Sequence, residues 1–161
     1  MKKIMFFLLF LFSIIGKAQS SADVSQNYGS IPGFDSTVYC SATQSDGKIL
    51  IGGAFYTYRG LERRFLTRLN PDGSVDTSFS FGGSGFNGIV FSIAIQNDGK
   101  ILVGGDFNLY KGALENKIIR LNSDGTKDTS FNSGGAGFNN SINAIVMQND
   151  GKILVGGAFT S

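Results

Sequence analysis

Histidine and tryptophan are absent from this sequence, and cysteine occurs once, at Cys40. The usual zinc and haem sites and the His-based catalytic arrangements therefore cannot be assembled. A lone Cys cannot form a disulfide within the chain. In Val38-Tyr39-Cys40-Ser41-Ala42 it has no base to activate it, so it is expected as a small buried filler and not as a nucleophile. The remaining chemistry rests on carboxylates, cations and Tyr. Tyr58-Arg59-Gly60 and Tyr110-Lys111-Gly112 each set an aromatic ring beside a cation, a pairing that could contact a sugar, a carboxylate or a peptide. The triplet recurs, which equally suits loop packing. Arg63 and Arg64, beside Glu62, do not recur, because Glu115 and Asn116 replace them; they are candidates for a local contact or a solvated loop face. The candidate contact residues are thus Tyr58, Arg59, Arg63, Arg64, Tyr110 and Lys111.

Other polar runs read as architecture. Asn70-Pro71-Asp72-Gly73-Ser74-Val75-Asp76 and Asn122-Ser123-Asp124-Gly125-Thr126-Lys127-Asp128 look superficially like calcium loops. They lack both the set ligand spacing and the closing Glu of an EF-hand, so hairpin turns are expected and no metal or cofactor is assigned. Almost every Asp is assigned to a turn; Asp106 is the exception, replacing Ala54 and Ala158, and no partner for acid catalysis can be named for it. No catalytic residue is assigned, and the protein is expected not to be an enzyme.

Composition narrows the class further. The net charge is +2, but without Lys2, Lys3 and Lys17 the rest carries 11 basic against 12 acidic residues. That balance argues against a nucleic-acid partner, which calls for an excess of phosphate-neutralising cations. Gly makes up 23 of 161 residues and charged residues only 16%, the composition of a turn-rich β protein.

Residues 1–18 read as a signal peptide. Met1-Lys2-Lys3 is positive, Ile4 to Ile15 is apolar except for Ser13, and Gly16 and Ala18 place small residues before a cut after Ala18. The apolar run is short of the roughly 20 residues that span a bilayer, so no membrane span is expected after cleavage. The protein is expected to be exported, to the cell surface or outside the cell.

The rest is one repeated unit. Gln44 to Phe55 returns as Gln96 to Phe107 and again as Gln148 to Phe159, an offset of 52 residues each time. Residues 33–84 and 85–136 share 26 identities in 52, far above chance, so an internal repeat organises the chain. Val90 to Gln96 and Lys100 to Phe107 read as strands around Asn97-Asp98-Gly99, a hairpin cue. Ile101-Leu102-Val103 is apolar on successive residues, so both faces should be covered. The Gly pair that follows points to a closely approaching neighbour sheet or to a bulge. Lys117 to Asn122 reads as a third strand and Lys127 to Phe131 as a short fourth. Four antiparallel strands in about 50 residues make a propeller blade. The divisions are a signal peptide at 1–18, a lead-in with a partial repeat at 19–32, repeats at 33–84 and 85–136, and a partial repeat at 137–161. The fold class is all-β, an incomplete, open array of about two and a half β-propeller blades.

The joint motif Asp-Gly-Lys-Ile-Leu-(Val/Ile)-Gly-Gly-x-Phe, Tyr-(Arg/Lys)-Gly, Arg-Leu-Asn-x-Asp-Gly and Asp-Thr-Ser-Phe resembles the delta-60 repeat of secreted bacterial β-propellers. It is met at Asp46 to Phe55, Tyr58 to Gly60, Arg68 to Gly73 and Asp76 to Phe79, then at Asp98 to Phe107, Tyr110 to Gly112, Arg120 to Gly125 and Asp128 to Phe131. The resemblance implies a propeller and no established activity. Propellers close with four to eight blades, so further blades, from a longer chain or an oligomer, are expected to complete the ring. The expected function is a secreted binding or structural scaffold with a protein or glycan partner. The alternative is a propeller enzyme acting on glycans through residues of other blades. Exported material is expected to begin at Gln19; N-terminal sequencing that finds Met1 instead would refute the cleavage.

Overall fold

The computed structural model describes residues 33–79, 85–131 and 137–160. The signal segment 1–18, the lead-in 19–32 and the Gly-rich ends of the two full repeats lie outside them. All regular structure among the described residues is β, as the composition implies. None of it is a helix long and apolar enough to cross a membrane.

The first repeat forms β1 (Val38–Thr43), β2 (Ile49–Gly53), β3 (Thr57–Tyr58), β4 (Leu61–Glu62) and β5 (Leu66–Leu69). The second forms β6 (Ile89–Ile95), β7 (Ile101–Asp106), β8 (Leu109–Tyr110), β9 (Ala113–Leu114) and β10 (Ile118–Leu121). The third contributes β11 (Ile142–Met147) and β12 (Ile153–Gly157). Two three-stranded antiparallel sheets result, β1-β2-β5 and β6-β7-β10, beside the β11-β12 pair. The Asp-Gly turns close the hairpins as read. Gln44 N donates to Lys48 O at 2.8 Å, Asp46 accepts from Lys48 N at 3.1 Å, and Gly47 takes φ 82°, a left-handed position suited to Gly.

The expected fourth strand is reduced to single bridges, Leu69 to Val75 and Leu121 to Lys127. Its physical cause is local. Asp76 and Asp128 each accept from the backbone N and hydroxyl of the Ser two residues on, which turns the chain before a ladder can form.

The sheets stack face to face, and the first Gly of each pair permits it. A Cβ on Gly52 would lie 2.5 Å from Val90 Cγ1, and one on Gly104 would lie 2.7 Å from Ile142 Cγ2. Branched side chains of the following unit thus fill sockets in the preceding one. The second Gly answers to the bulge: a Cβ on Gly53, Gly105 or Gly157 would strike the carbonyl oxygen of Thr37, Ile89 or Ser141 across the register shift in β1, β6 or β11. Both explanations offered by the sequence operate, one per glycine.

The first seam buries Cys40, Leu50, Leu66 and Phe79 against Val90, Val103, Phe107, Ile119 and Leu121. The second buries Leu102 and Ile118 against Ile142 and Ile145. Each fully buried side chain of this size contributes about 1.5–3 kcal/mol relative to exposure, so the seams are the main apolar term. Leu50 and Leu102 are fully buried, but their equivalent Leu154 is 54% exposed and nothing lies within 4 Å of a Cβ on Gly156. Among the described residues the row of sheets is open. Gly104→Val is expected to destabilise by about 1–3 kcal/mol through overpacking, while Leu114→Val, at a 74% exposed position, stays within about 0.5 kcal/mol. Chemical denaturation of both variants checks the contrast, and equal losses would refute the socket.

Candidate functional site

Residues far apart in each repeat converge on one cation–carboxylate cluster. Arg68 on β5 bonds through Nε to Asp76 Oδ2 at 2.8 Å, and its Nη1 reaches Gln44 Oε1 at 3.0 Å and Ser123 O of the next unit at 2.5 Å. Lys48, from the hairpin turn, lies 3.0 Å from the same Asp76 oxygen. The guanidinium caps the Phe79 ring at 4.4 Å. The second unit repeats the core of this cluster, with Arg120 Nε to Asp128 at 2.8 Å, Lys100 to Asp128 at 3.0 Å and Arg120 over Phe131 at 4.8 Å. Burial works to raise the Asp76 pKa, but hydrogen bonds from Ser78 and Lys48, with the Arg68 charge, hold it well below the ordinary carboxylate range. Asp128 is lowered as well, first by its bond from the Ser130 hydroxyl, then by Lys100. Such carboxylates accept hydrogen bonds but are poor proton donors near neutrality.

The six candidate contact residues lie on the small hairpins and beside them. Arg59 at φ 50° with Gly60 at φ 77°, and Lys111 at φ 51° with Gly112 at φ 82°, form two-residue type I′ turns between β3 and β4 and between β8 and β9. Tyr58 and Tyr110 are buried and do not face solvent. Their hydroxyls donate to Gly73 O at 3.0 Å and Gly125 O at 2.6 Å, pinning each hairpin to the turn after the third strand. The Tyr rings therefore serve the hairpin, and each cation lies 5.2 Å from the ring centroid, Arg59 exposed and Lys111 half-buried. Arg63 sits half-buried after β4, its Nη1 donating to Glu62 O at 2.6 Å, while Arg64 pairs with exposed Glu62. Tyr56, Leu61 and Leu114 are exposed around the same tips. Asp106 is ion-paired with Lys117 at 2.7 Å. Cys40 is buried at the first seam, and desolvation pushes its thiol up to about 12, so it is a filler.

The sequence reading did not anticipate two features. One is the Arg–Asp–Lys–Gln cluster. The other is a clasp in which Asp35, Asn87 or Asn139 accepts backbone N–H groups from Tyr56 and Thr57, from Asn108 and Leu109, or from Thr160. Phe34, Phe86 and Phe138, one residue earlier, stack on Phe55, Phe107 and Phe159 at 4.4–4.6 Å. Recurrence of Gly-Phe-(Asp/Asn) at the 52-residue offset was the available signal.

Repeated antiparallel sheets packed face to face through glycine sockets, the two fuller ones sharing an Arg–Asp–Lys core, are the blades of a propeller-type repeat protein. The family described as a domain of unknown function (DUF5122) beta-propeller matches residues 44–79, 96–131 and 148–161, more than half of the sequence, and the chain belongs to it. Each full match runs from the first hairpin turn to the Phe under the Arg, so it spans the whole ion cluster. No curated protein and no solved structure matches the chain.

Because Asp76 and Asp128 titrate lower in the folded than in the unfolded state, their contribution is complete above the unfolded pKa of about 3.9 and is lost as pH falls toward the folded values. The melting temperature is expected to stay level from pH 7 to 5 and to fall below about pH 4. Asp76→Asn should lower the melting temperature at neutral pH and flatten this acid limb; an unchanged limb would refute the role of the cluster.

Proposed function

We propose that this is an exported, non-catalytic propeller protein of the delta-60 kind, a binding or structural scaffold at the cell surface or outside the cell. Its hairpin tips present Arg59, Arg63, Arg64 and Lys111, with exposed Tyr56, Leu61 and Leu114, to a protein or glycan. The export half rests on the charged start, apolar core and small-residue site of residues 1–18.

The observation that supports a scaffold most is the occupation of the carboxylates. Every described Asp and Glu is engaged: Asp46, Asp72, Asp98, Asp124 and Asp150 in turns, Asp35 in the backbone clasp, and Asp76, Asp106, Asp128, Glu62 and Glu115 in ion pairs. A glycan-cleaving enzyme needs a carboxyl raised enough to donate a proton. The carboxyl shifts resolved among these groups run the other way. A cationic tip with apolar flanks suits a carboxylate-bearing partner, since guanidinium matches carboxylate geometry.

The test exposes the full-length chain to immobilised neutral and uronate-bearing oligosaccharides. Uronate chains should be retained, and Arg63→Ala combined with Arg64→Ala should weaken retention about tenfold, the effect of losing one charge-assisted contact. Retention of none, or equal retention by the double variant, would refute the glycan assignment for these tips. Shortening of the oligosaccharides would favour the propeller-enzyme reading.

A further inference from the structure

Most of what surrounds the first hairpin tip returns at the second. The stack of Phe34, Phe55 and Tyr58 recurs as Phe86, Phe107 and Tyr110. The clasp recurs too, but with Asn108 where Tyr56 stands. The feature that does not return is the pair of Tyr56 and Phe65, whose ring centroids lie 5.1 Å apart. Phe65 holds φ 64°, a left-handed backbone that is an outlier for a bulky side chain. Lys117 holds the equivalent position at φ 67°, so the blade needs this conformation but not an aromatic ring in it. Tyr56 is fixed on both sides: its N–H donates to Asp35 Oδ1 at 2.9 Å, and its carbonyl accepts from Arg63 N at 2.8 Å. The residue is nonetheless 54% exposed. A ring held in place, backed by a strained partner and open to water serves nothing in the sheet itself.

This exposure persists with the adjoining sheet in place. Phe65 belongs to the seam between the first and second repeats, in one cluster with Phe86, Phe107 and Tyr110. The same seam gathers charges of both repeats around Gly85. A Cβ there would lie 3.5 Å from Arg64 O and 4.0 Å from Arg64 Cβ, and the Gly85 carbonyl accepts from Lys111 N at 2.8 Å. Arg64 donates through Nε to Glu62 Oε1 at 2.6 Å, and both side chains are exposed. In the second repeat Leu114 and Asn116 take the places of Glu62 and Arg64. The aromatic pair, Glu62 and Arg64 are thus particular to the first repeat, and Lys111 of the second meets them across one glycine.

We propose that the junction of the first and second hairpin tips is a binding site for a hexuronate unit of an acidic glycan, a site that rests on the carboxylate-bearing glycan partner proposed for the scaffold. The apolar face of the pyranose ring lies on Tyr56, because its C–H bonds carry partial positive charge and the aromatic face is negative. Its carboxylate sits between Arg64 and Lys111, which match its charge. Its hydroxyls both donate and accept, and they find an acceptor in Glu62 and donors in the Arg64 fork. A run of acidic residues in a peptide shares the charge but brings no flat ring to Tyr56, so the platform selects the sugar. A ligand held by both repeats also ties their seam, and it stabilises the folded chain by mass action.

The test titrates the full-length chain, by calorimetry and by melting temperature, with oligogalacturonate, with its methyl ester and with a glutamate oligopeptide. Oligogalacturonate should bind and raise the melting temperature. The ester, which keeps the ring and loses the charge, and the peptide, which keeps the charge and lacks the ring, should each bind about tenfold more weakly. Tyr56→Asn and Arg64→Asn, which install the residues of the second repeat, should each weaken oligogalacturonate about tenfold, as should Lys111→Ala, while Tyr56→Phe keeps it. Melting temperatures without ligand show that the variants fold. Oligogalacturonate bound equally by the unaltered chain, Tyr56→Asn and Lys111→Ala would overturn the site at this junction and leave a glycan-binding scaffold standing. Equal binding of the glutamate peptide would overturn the choice of a sugar in favour of an acidic protein. No binding of oligogalacturonate at about 1 mM, the floor for a weak specific contact, would overturn the site and the carboxylate-bearing glycan partner together.

Discussion

The structure depends on how closely one sheet can approach the next. Side chains at both Gly52 and Gly104 would hold the sheets apart, and Val90 and Ile142 would lose the recesses they fill. Interiors are packed to crystal-like density, so a gap of even a methyl group forfeits contacts along the whole face. The other constant features follow from that spacing. Leu50 and Leu102 become fully buried, Cys40 can sit against Val90, and Arg68 can reach across to Ser123.

The ion cluster works within this frame as a lock. Arg68 is almost wholly removed from water, a placement that is costly unless its donors are matched. Asp76, Gln44 and Ser123 O match them, and the Phe79 face takes the guanidinium plane. One side chain therefore joins the hairpin turn, the third strand, the outer bridge and the neighbouring blade. A requirement of this kind, repeated in both full units, accounts for the Arg-Leu-Asn-x-Asp-Gly and Asp-Thr-Ser-Phe pattern.

Much of the architecture was legible in the sequence because its causes are local. Asp46-Gly47, Asp98-Gly99 and Asp150-Gly151 mark turns through backbone preferences, and Ile101-Leu102-Val103 announces two covered faces. The paired glycines posed the right question, a close neighbour or a bulge, and the structure answers with both. What escaped the reading is set by partners distant in sequence. Nothing near Arg68 reveals that its guanidinium meets a carbonyl 55 residues away. Nor does Tyr58-Arg59 show that the ring points inward while the cation points out. The fourth strand expected at Lys127 to Phe131 shrinks to a bridge because Asp128 uses Ser130 to turn the chain.

The clasp of Asp35, Asn87 and Asn139 has a bearing on how such an array comes into being. Each grips backbone 21 or 22 residues ahead, so a hairpin region is tied down before its own third strand has been made. Among the described residues, the contacts between units join neighbours in sequence, as Arg68 meets Ser123 O and Gly52 receives Val90. Assembly can thus proceed like a zipper keeping pace with synthesis, and lengthening the array by one module adds roughly the same increment of cohesion each time, without redesign of those already in place.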